Sequence, residues 1–387
     1  MSETVLRRLG GLDTRVFLAR YWGRQPLVVR SALEDFAPPV DRARLFELAA
    51  RDDVESRLVS SFEGNWRLRH GPIPRRGLPA RERPGWTLLV QGLDLHERPA
   101  ADLASRFRFV PAARFDDLMA SWASPGGGVG PHVDQYDVFL LQAQGRRRWR
   151  IARRFDPALR EGAPLRLLRA FRHEEEFVLG PGDLLYLPPG VAHEGVALEE
   201  CITLSVGFRV LPWQEVAQSW LDLQPAQAPL AGGARDRAIE PARHPARLPE
   251  AMARQAHAAL KGLRPTLAQA RRTLLCALTE PKAQVVFDPP RPALARNAFE
   301  RAALGAGVRT DLRTRLLHAP RDFAVNGELL KGFARLEGGA REALRRLADE
   351  RELPAQLLRA LPVAQRRSLL DILHLWHRSG WLAPVLH

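Results

Sequence analysis

From about residue 55 to residue 210, apolar positions gather in short runs interrupted by Gly and Pro. "WTLLVQGLDL", "DVFLLQA", "RRWRI", "EFVLGPGDLLYLPPG" and "ITLSVGFRV" are all of strand length. Many short strands between turn residues predict a sandwich or barrel. Upstream, "DTRVFLARYWGRQPLVVR" reads as a helix feeding an apolar strand, and "VDRARLFELAARDDVESRLV" reads as a second helix. "AARFDDLMASWA" reads as a third helix. After "GFRVLPW" the pattern turns helical, in "WQEVAQSWLDL", "PEAMARQAHAALKGL" and "TLAQARRTLLCALTE". A Pro/Ala/Gly-rich connector, "QPAQAPLAGGARDRAIEPARHPARLP", lies among them, and "DPPRPALARN" marks a further break. The last hundred residues hold an Asn326-Gly327 step of hairpin type and two more helical stretches, "REALRRLADE" and "VAQRRSLLDILHLWHRSGWL". Helices with a small hairpin predict a winged-helix-like module.

The expected organisation is therefore α+β, with a β-rich unit over 1–210, a helical segment with its connector over 211–285, and the winged-helix-like unit over 286–387. No window approaches the length of a membrane span, and the N-terminus lacks a stretch of signal-peptide type. A soluble cytoplasmic protein is expected. Cys201 and Cys276 form no CxxC, which argues against a zinc ribbon or a disulfide framework. The net charge of +14 divides unevenly, as +4 over residues 1–210 and +10 over residues 211–387. Only three basic residues are lysines, so compositional bias accounts for part of the surplus. The remainder would steer the C-terminal half toward an acidic partner such as RNA.

Chemistry enters with "GPHVDQYDVFLLQAQGRRRWRI". Side chains at i and i+2 of a strand share a face, so His132 and Asp134 aim an imidazole and a carboxylate at one place. Downstream, "GDLLYLPPGVAHEG" has the spacing G-x5-P-x-G-x2-H and ends on His193. Together the two halves resemble the paired motifs of the cupin superfamily, a double-stranded β-helix or jelly roll with a metal in its mouth. Where many cupins add a glutamate, this chain has Val138. Two imidazoles and one carboxylate leave three octahedral positions open, as in non-haem Fe(II) oxygenases, enough for a chelating 2-oxo acid and O2. A jelly roll with vestigial ligands is the competing reading. A 2-oxo diacid also needs a cation for its far carboxylate. Strand alternation puts Arg146 and Arg148 on one face and Arg147 and Trp149 on the other, and leaves the choice open.

"YWGRQPLVVR", "WTLLVQGLDLH", "FDDLMASWASPGGGVGPHVDQYDVFLLQAQGRRRWRI" and "PGDLLYLPPGVAHEG" closely resemble the bacterial ribosomal oxygenases of JmjC type. These are Fe(II)- and 2-oxoglutarate-dependent hydroxylases, and the member most like this chain acts on C3 of an arginine in ribosomal protein L-sixteen of the large subunit. The resemblance implies that His132, Asp134 and His193 bind iron. It favours Arg147 for the 2-oxoglutarate carboxylate, and Ser121 over Ser124 as the hydroxyl beside it. It also implies a homodimer through the helical segment. For a substrate guanidinium, Tyr136, Asp137, Asp116 and Asp117 are candidates by type and proximity, against structural roles for each. "HEEEF", His173 to Phe177, reads as a solvated turn whose acids could attract a basic peptide. Two alternatives share these motifs: the same chemistry on a histidine, and a 2-oxoglutarate-sensing protein whose C-terminal unit binds nucleic acid.

Overall fold

The computed structural model describes residues 5–33, 36–223 and 263–385, together with Arg254, His257, Ala258, Leu260 and Lys261. A small hairpin, β1 (Arg8–Leu9) and β2 (Leu12–Asp13), leads into α1 (Thr14–Arg20), whose first turn Asp13 caps by accepting the Arg15 N–H. β3 (Leu27–Val29) and α2 (Arg42–Leu48) precede a hairpin of β4 (Ser56–Phe62) and β5 (Asn65–His70). β6 (Trp86–Val90), α3 (Arg98–Arg106) and β7 (Phe115–Ala123) follow. The remaining strands are β8 (His132–Val133), β9 (Asp137–Gln144), β10 (Arg147–Ala152), β11 (Glu175–Leu179), β12 (Leu184–Leu187), β13 (Ala192–Ala197) and β14 (Cys201–Phe208).

These strands form two antiparallel sheets. The larger runs β3-β12-β9-β14-β7-β6-β4-β5, and the smaller runs β11-β10-β13-β8. Between them lies an apolar layer of Val138, Leu140, Trp149, Ile151, Leu185 and Leu187. On its other face the large sheet packs Phe139, Leu141, Leu118 and Trp122 against Phe17, Leu45 and Leu103 of the flanking helices. Successive residues of β9 thus enter different cores, and its central run Val138–Leu141 is apolar without alternation. This is the jelly roll that the paired motifs implied.

The same double burial explains one wrong expectation. "AARFDDLMASWA" is not a helix beyond the single turn Ala112–Arg114; Phe115–Ala123 is the nine-residue strand β7, paired with β14 on one side and β6 on the other. Leu118, Ala120 and Trp122 face the helices, while Met119, Ser121 and Ala123 face inward. Apolar residues on both faces erase the period of two and leave a spacing that imitates a helix. "HEEEF" is likewise no simple turn. Glu175–Leu179 is the edge strand β11, and its acids pair with arginines of β10 and the loop after it, as in Arg150–Glu176 at 2.7 Å and Arg153–Glu175 at 3.3 Å.

Beyond β14 come the expected helices α4 (Trp213–Asp222) and Leu267–Thr279. Residues 224–253 of the connector, with Gln255, Ala256, Ala259 and Gly262 in the helical stretch after it, lie outside the described residues. From Arg296 onward a second core gathers Phe299, Phe323, Leu344, Leu347 and Trp376 among four helices and two three-stranded sheets. The expected hairpin joins Phe323–Val325 to Glu328–Leu329, with Asn326 at φ +48° and Gly327 at φ +85°, both positive as a type I′ turn requires. Among the described residues no helix is long and apolar enough to cross a membrane.

Asp94, in the turn after β6, accepts the Leu118 N–H of β7 at 2.8 Å. Burial first, and then the Asp117 charge, pushes its carboxyl up to about 6. Because the folded value is raised, the stabilisation is complete below about pH 4 and is lost as pH rises through about 6. Asn at this position can still accept the Leu118 N–H but cannot ionise. Asp94→Asn is expected to gain on the wild type, by on the order of 3 kcal/mol, between pH 4 and 7 in urea unfolding. A difference that stays flat across that range would contradict the assignment.

Candidate metal centre

His132 on β8 stands directly opposite His193 on β13, with ring centroids 4.2 Å apart. Each imidazole is anchored through Nδ1, His132 to the Gly130 carbonyl at 2.9 Å and His193 to the Val191 carbonyl at 3.1 Å. A carbonyl only accepts, so each Nδ1 carries the proton and each Nε2 presents a lone pair. Both Nε2 atoms converge on Asp134 Oδ2, from 3.8 Å and 3.7 Å. Ligand-capable atoms of the three residues all lie within 4.8 Å of one another, the one such cluster among the described residues. Burial, followed by the neighbouring His132, lowers the His193 imidazole to about 4, so it is neutral and able to ligate at physiological pH.

The local sequence explains why the two motifs meet. Gly190 closes the "LPPG" turn at φ +81°, and its N–H donates to the Asp134 carbonyl at 2.8 Å. One hydrogen bond thus ties the turn that delivers His193 to the segment that carries Asp134. Val138, at the position where many cupins have glutamate, is buried in the apolar layer between the sheets and supplies no ligand.

The structure resolves the choice between faces of β10. Arg147 points inward, only 4% exposed, whereas Arg146 is exposed and pairs with Glu199. The Arg147 guanidinium lies 5.8 Å from the Trp149 ring centroid and donates through Nη1 to Ser121 Oγ at 3.3 Å. Its Nε and Nη2 are buried without a partner. A buried cation with two unused donors is costly to leave uncompensated, and its planar fork fits a carboxylate. Ser124, the competing hydroxyl, is held instead by the backbone N–H and carbonyl of Trp86.

Three contributors escaped the sequence reading. Thr203 lies opposite both Ser121 and Gln142 across β14, and its hydroxyl donates to Gln142 Oε1 at 2.9 Å. Ser121, Thr203 and Gln142 thus form a polar row under Arg147. The signal was present as Gln142 and Thr203, polar residues among the apolar positions of strand-like runs. The third is Gly195, opposite Trp149; a Cβ there would sit 2.7 Å from the indole, so only glycine leaves the ring its place.

The guanidinium-pocket candidates separate by position. The Asp137 carboxylate accepts from the Tyr186 hydroxyl and, at 3.2 Å, from the Gly23 N–H, which makes it structural. Asp116 and Asp117 both face Lys282 Nζ, 3.3 Å from each. Tyr136 is 39% exposed beside Asp134, where burial and that carboxylate raise its hydroxyl above the ordinary tyrosine range.

Residues 102–216 match the family model of the JmjC domain. The chain is 40% identical over 234 residues to the Ribosomal protein uL16 3-hydroxylase of Escherichia coli (strain K12), and 37% identical over 206 residues to the probable ribosomal oxygenase of Haemophilus influenzae. These alignments cover 59% and 51% of the chain, and they span 61% and 50% of the two curated relatives. Over nearly its whole length the chain is similar to solved structures of the E. coli ribosomal oxygenase YcfD. One, in complex with cobalt and 2-oxoglutarate, has a TM-score of 0.79 at 31% identity and covers 97% of this chain and 99% of that one.

Co(II) at a hundred times its Kd is expected to stabilise the protein by about 2.7 kcal/mol in thermal unfolding. His132→Ala and His193→Ala should each abolish that gain while leaving the metal-free protein folded. Retained Co(II) stabilisation in both variants would place the ion elsewhere.

Proposed function

The chain belongs to the JmjC-type ribosomal oxygenases, and from that membership we propose that it is an Fe(II)- and 2-oxoglutarate-dependent hydroxylase of C3 of an arginine in ribosomal protein uL16. The observation that carries the reading is the buried Arg147 fork, with two unused nitrogens, on the same sheet as the His132–Asp134–His193 cluster. A binding jelly roll with vestigial ligands has no use for both. The arginine assignment draws on the 40% identity to the uL16 3-hydroxylase, against 27% to a bifunctional demethylase and histidyl-hydroxylase of Aedes aegypti.

In this reading His132, Asp134 and His193 hold iron, and Arg147 with Ser121 holds the far carboxylate of 2-oxoglutarate. The bound metal, co-substrate and O2 supply the oxidising power that places a hydroxyl on an unactivated carbon, with succinate and CO2 as co-products. The protein supplies position. The Nδ1 anchors fix both imidazole planes, so the two Nε2 lone pairs are preset and would hold the metal without rearranging. Trp149 lies against the Arg147 guanidinium and beside His193, with ring centroids 6.1 Å apart, and limits water around both. The apolar layer of Val138, Leu140, Ile151 and Leu187 lowers the local dielectric, which strengthens the guanidinium–carboxylate contact. Tyr136, at the exposed edge, is our candidate for contact with the substrate arginine.

The segment 211–285 is read as the dimerisation segment and 286–387 as a winged-helix-like unit for protein contacts. Support for a homodimer is the exposure of large apolar side chains in that segment: Trp213 is 84% exposed, Leu267 76% and Leu260 61%.

An arginine-containing uL16 peptide incubated with enzyme, Fe(II), 2-oxoglutarate and O2 should gain the mass of one oxygen on the arginine, and none with His132→Ala. Turnover only on histidine-containing ribosomal peptides would replace the arginine assignment. Arg147→Met should raise KM for 2-oxoglutarate by about 10²-fold while stabilising the ligand-free protein, since a buried unpaired charge is removed. Trp213→Glu combined with Leu267→Glu should convert a dimer to a monomer in light scattering; an unchanged mass would reject this interface.

A further inference from the structure

The proposed hydroxylase site uses the inner face of the small sheet, and the outer face of that sheet carries a second cavity. It measures about 280 Å3 and is lined by Trp66 and Phe171, by Arg150, Arg160 and Arg169, and by His173 among others. The cavity and the metal centre stand back to back. Pro131, which precedes His132, and Glu194, which follows His193, both line it. Arg150 and Glu194 are cross-strand partners, one position along from Ile151 and His193, and so take the opposite face. The loop between β10 and β11 is clamped to the residue just before β8 by the Leu168 N–H, which donates to the Pro131 carbonyl at 2.9 Å. Trp66, from the tip of the β4–β5 hairpin, is wedged against Gly130: a Cβ there would lie 2.9 Å from the indole. The aromatic wall is therefore fixed.

Residues 153–172 carry six arginines against two carboxylates. Three of the arginines are paired, Arg153 with Glu175, Arg154 with Glu174 and Arg169 with Asp156. Arg160, Arg166 and Arg172 are exposed and, among the described residues, have no carboxylate partner. Arg160 lines the cavity, and the other two adjoin the lining residues Leu167 and Phe171. Glu194, the acidic group in the lining, already faces Arg150 at 3.7 Å.

We propose that this cavity binds single-stranded RNA, one base lying against Trp66 and Phe171 and the flanking phosphates meeting Arg160, Arg166 and Arg172. Half-buried aromatic rings interleaved with free guanidinium groups are the chemistry that holds unpaired nucleotides. An acidic peptide would use the arginines and leave the rings without a role. The proposed ribosomal substrate identifies the source of the RNA; the binding itself needs no turnover.

The test is fluorescence anisotropy of a labelled single-stranded RNA decamer with the full-length protein, titrated at several salt concentrations. Trp66→Ala is expected to weaken binding about tenfold. Arg160→Gln with Arg172→Gln should weaken it further and reduce the salt slope by roughly 1.4. Arg301→Gln with Arg367→Gln removes the same charge from exposed positions on the helices Arg296–Ala306 and Val363–Arg378; it should leave affinity within about twofold. No RNA binding, an inert Trp66→Ala, or an equal loss in the helix pair would overturn the proposal. So would tighter, Trp66-dependent binding of a polyglutamate peptide. Co(II) stabilisation of each variant checks that it is folded. Trp66-dependent RNA binding in a protein that hydroxylates no peptide would leave this site standing and remove the hydroxylase reading.

Discussion

The metal centre depends on a single cross-strand pair. β8 is two residues long, and His132 meets His193 only because β13 accepts that short strand in one register. A slip of β8 by one residue would turn the His132 imidazole to the outer face, while His193 would stay where the β10–β13 ladder holds it. The register is secured from outside the strand, by the Gly190 N–H on the Asp134 carbonyl and by the Leu168 N–H on the Pro131 carbonyl. The candidate ligand residues are thus positioned by backbone hydrogen bonds from two loops.

Arg147 sets the second constraint. A guanidinium inside a jelly roll has lost its water, and Ser121 answers one of its donors. The row from Ser121 through Thr203 to Gln142 ends on the Gln144 and Gly145 carbonyls, which places a chain of fixed dipoles beneath the cation. Gly195 and Ala197, small residues opposite Trp149 and Arg147, leave room for both large side chains.

Much of this was legible in the chain. The His-x-Asp step and the G-x5-P-x-G-x2-H spacing bring together the residues that the structure brings together, because turn chemistry at Pro188 and Gly190 is local and strongly coded. The face of Arg147 was not legible, since alternation gives a phase and not its origin. β7 was misread because two cores claim its alternate residues. The polar row was overlooked because Thr203 and Gln142 acquire meaning only beside Ser121, from strands up to 82 residues apart. Charge by halves did not show which arginines are paired. Arginines of the C-terminal half such as Arg296, Arg309 and Arg313 are engaged with carboxylates, while the loop after β10 keeps three unpaired.

Lys282 joins the C-terminal half to the strand that carries Ser121. Its ammonium sits between the carboxylates of Asp116 and Asp117, and Arg315 donates to the Asp116 carbonyl from the same side. Both acids belong to β7, a few residues before Ser121. A fragment ending near residue 210 would keep these adjacent acids and lose the cation between them. The jelly roll is complete in its strands but not in its charges, and the C-terminal half supplies the missing counterion.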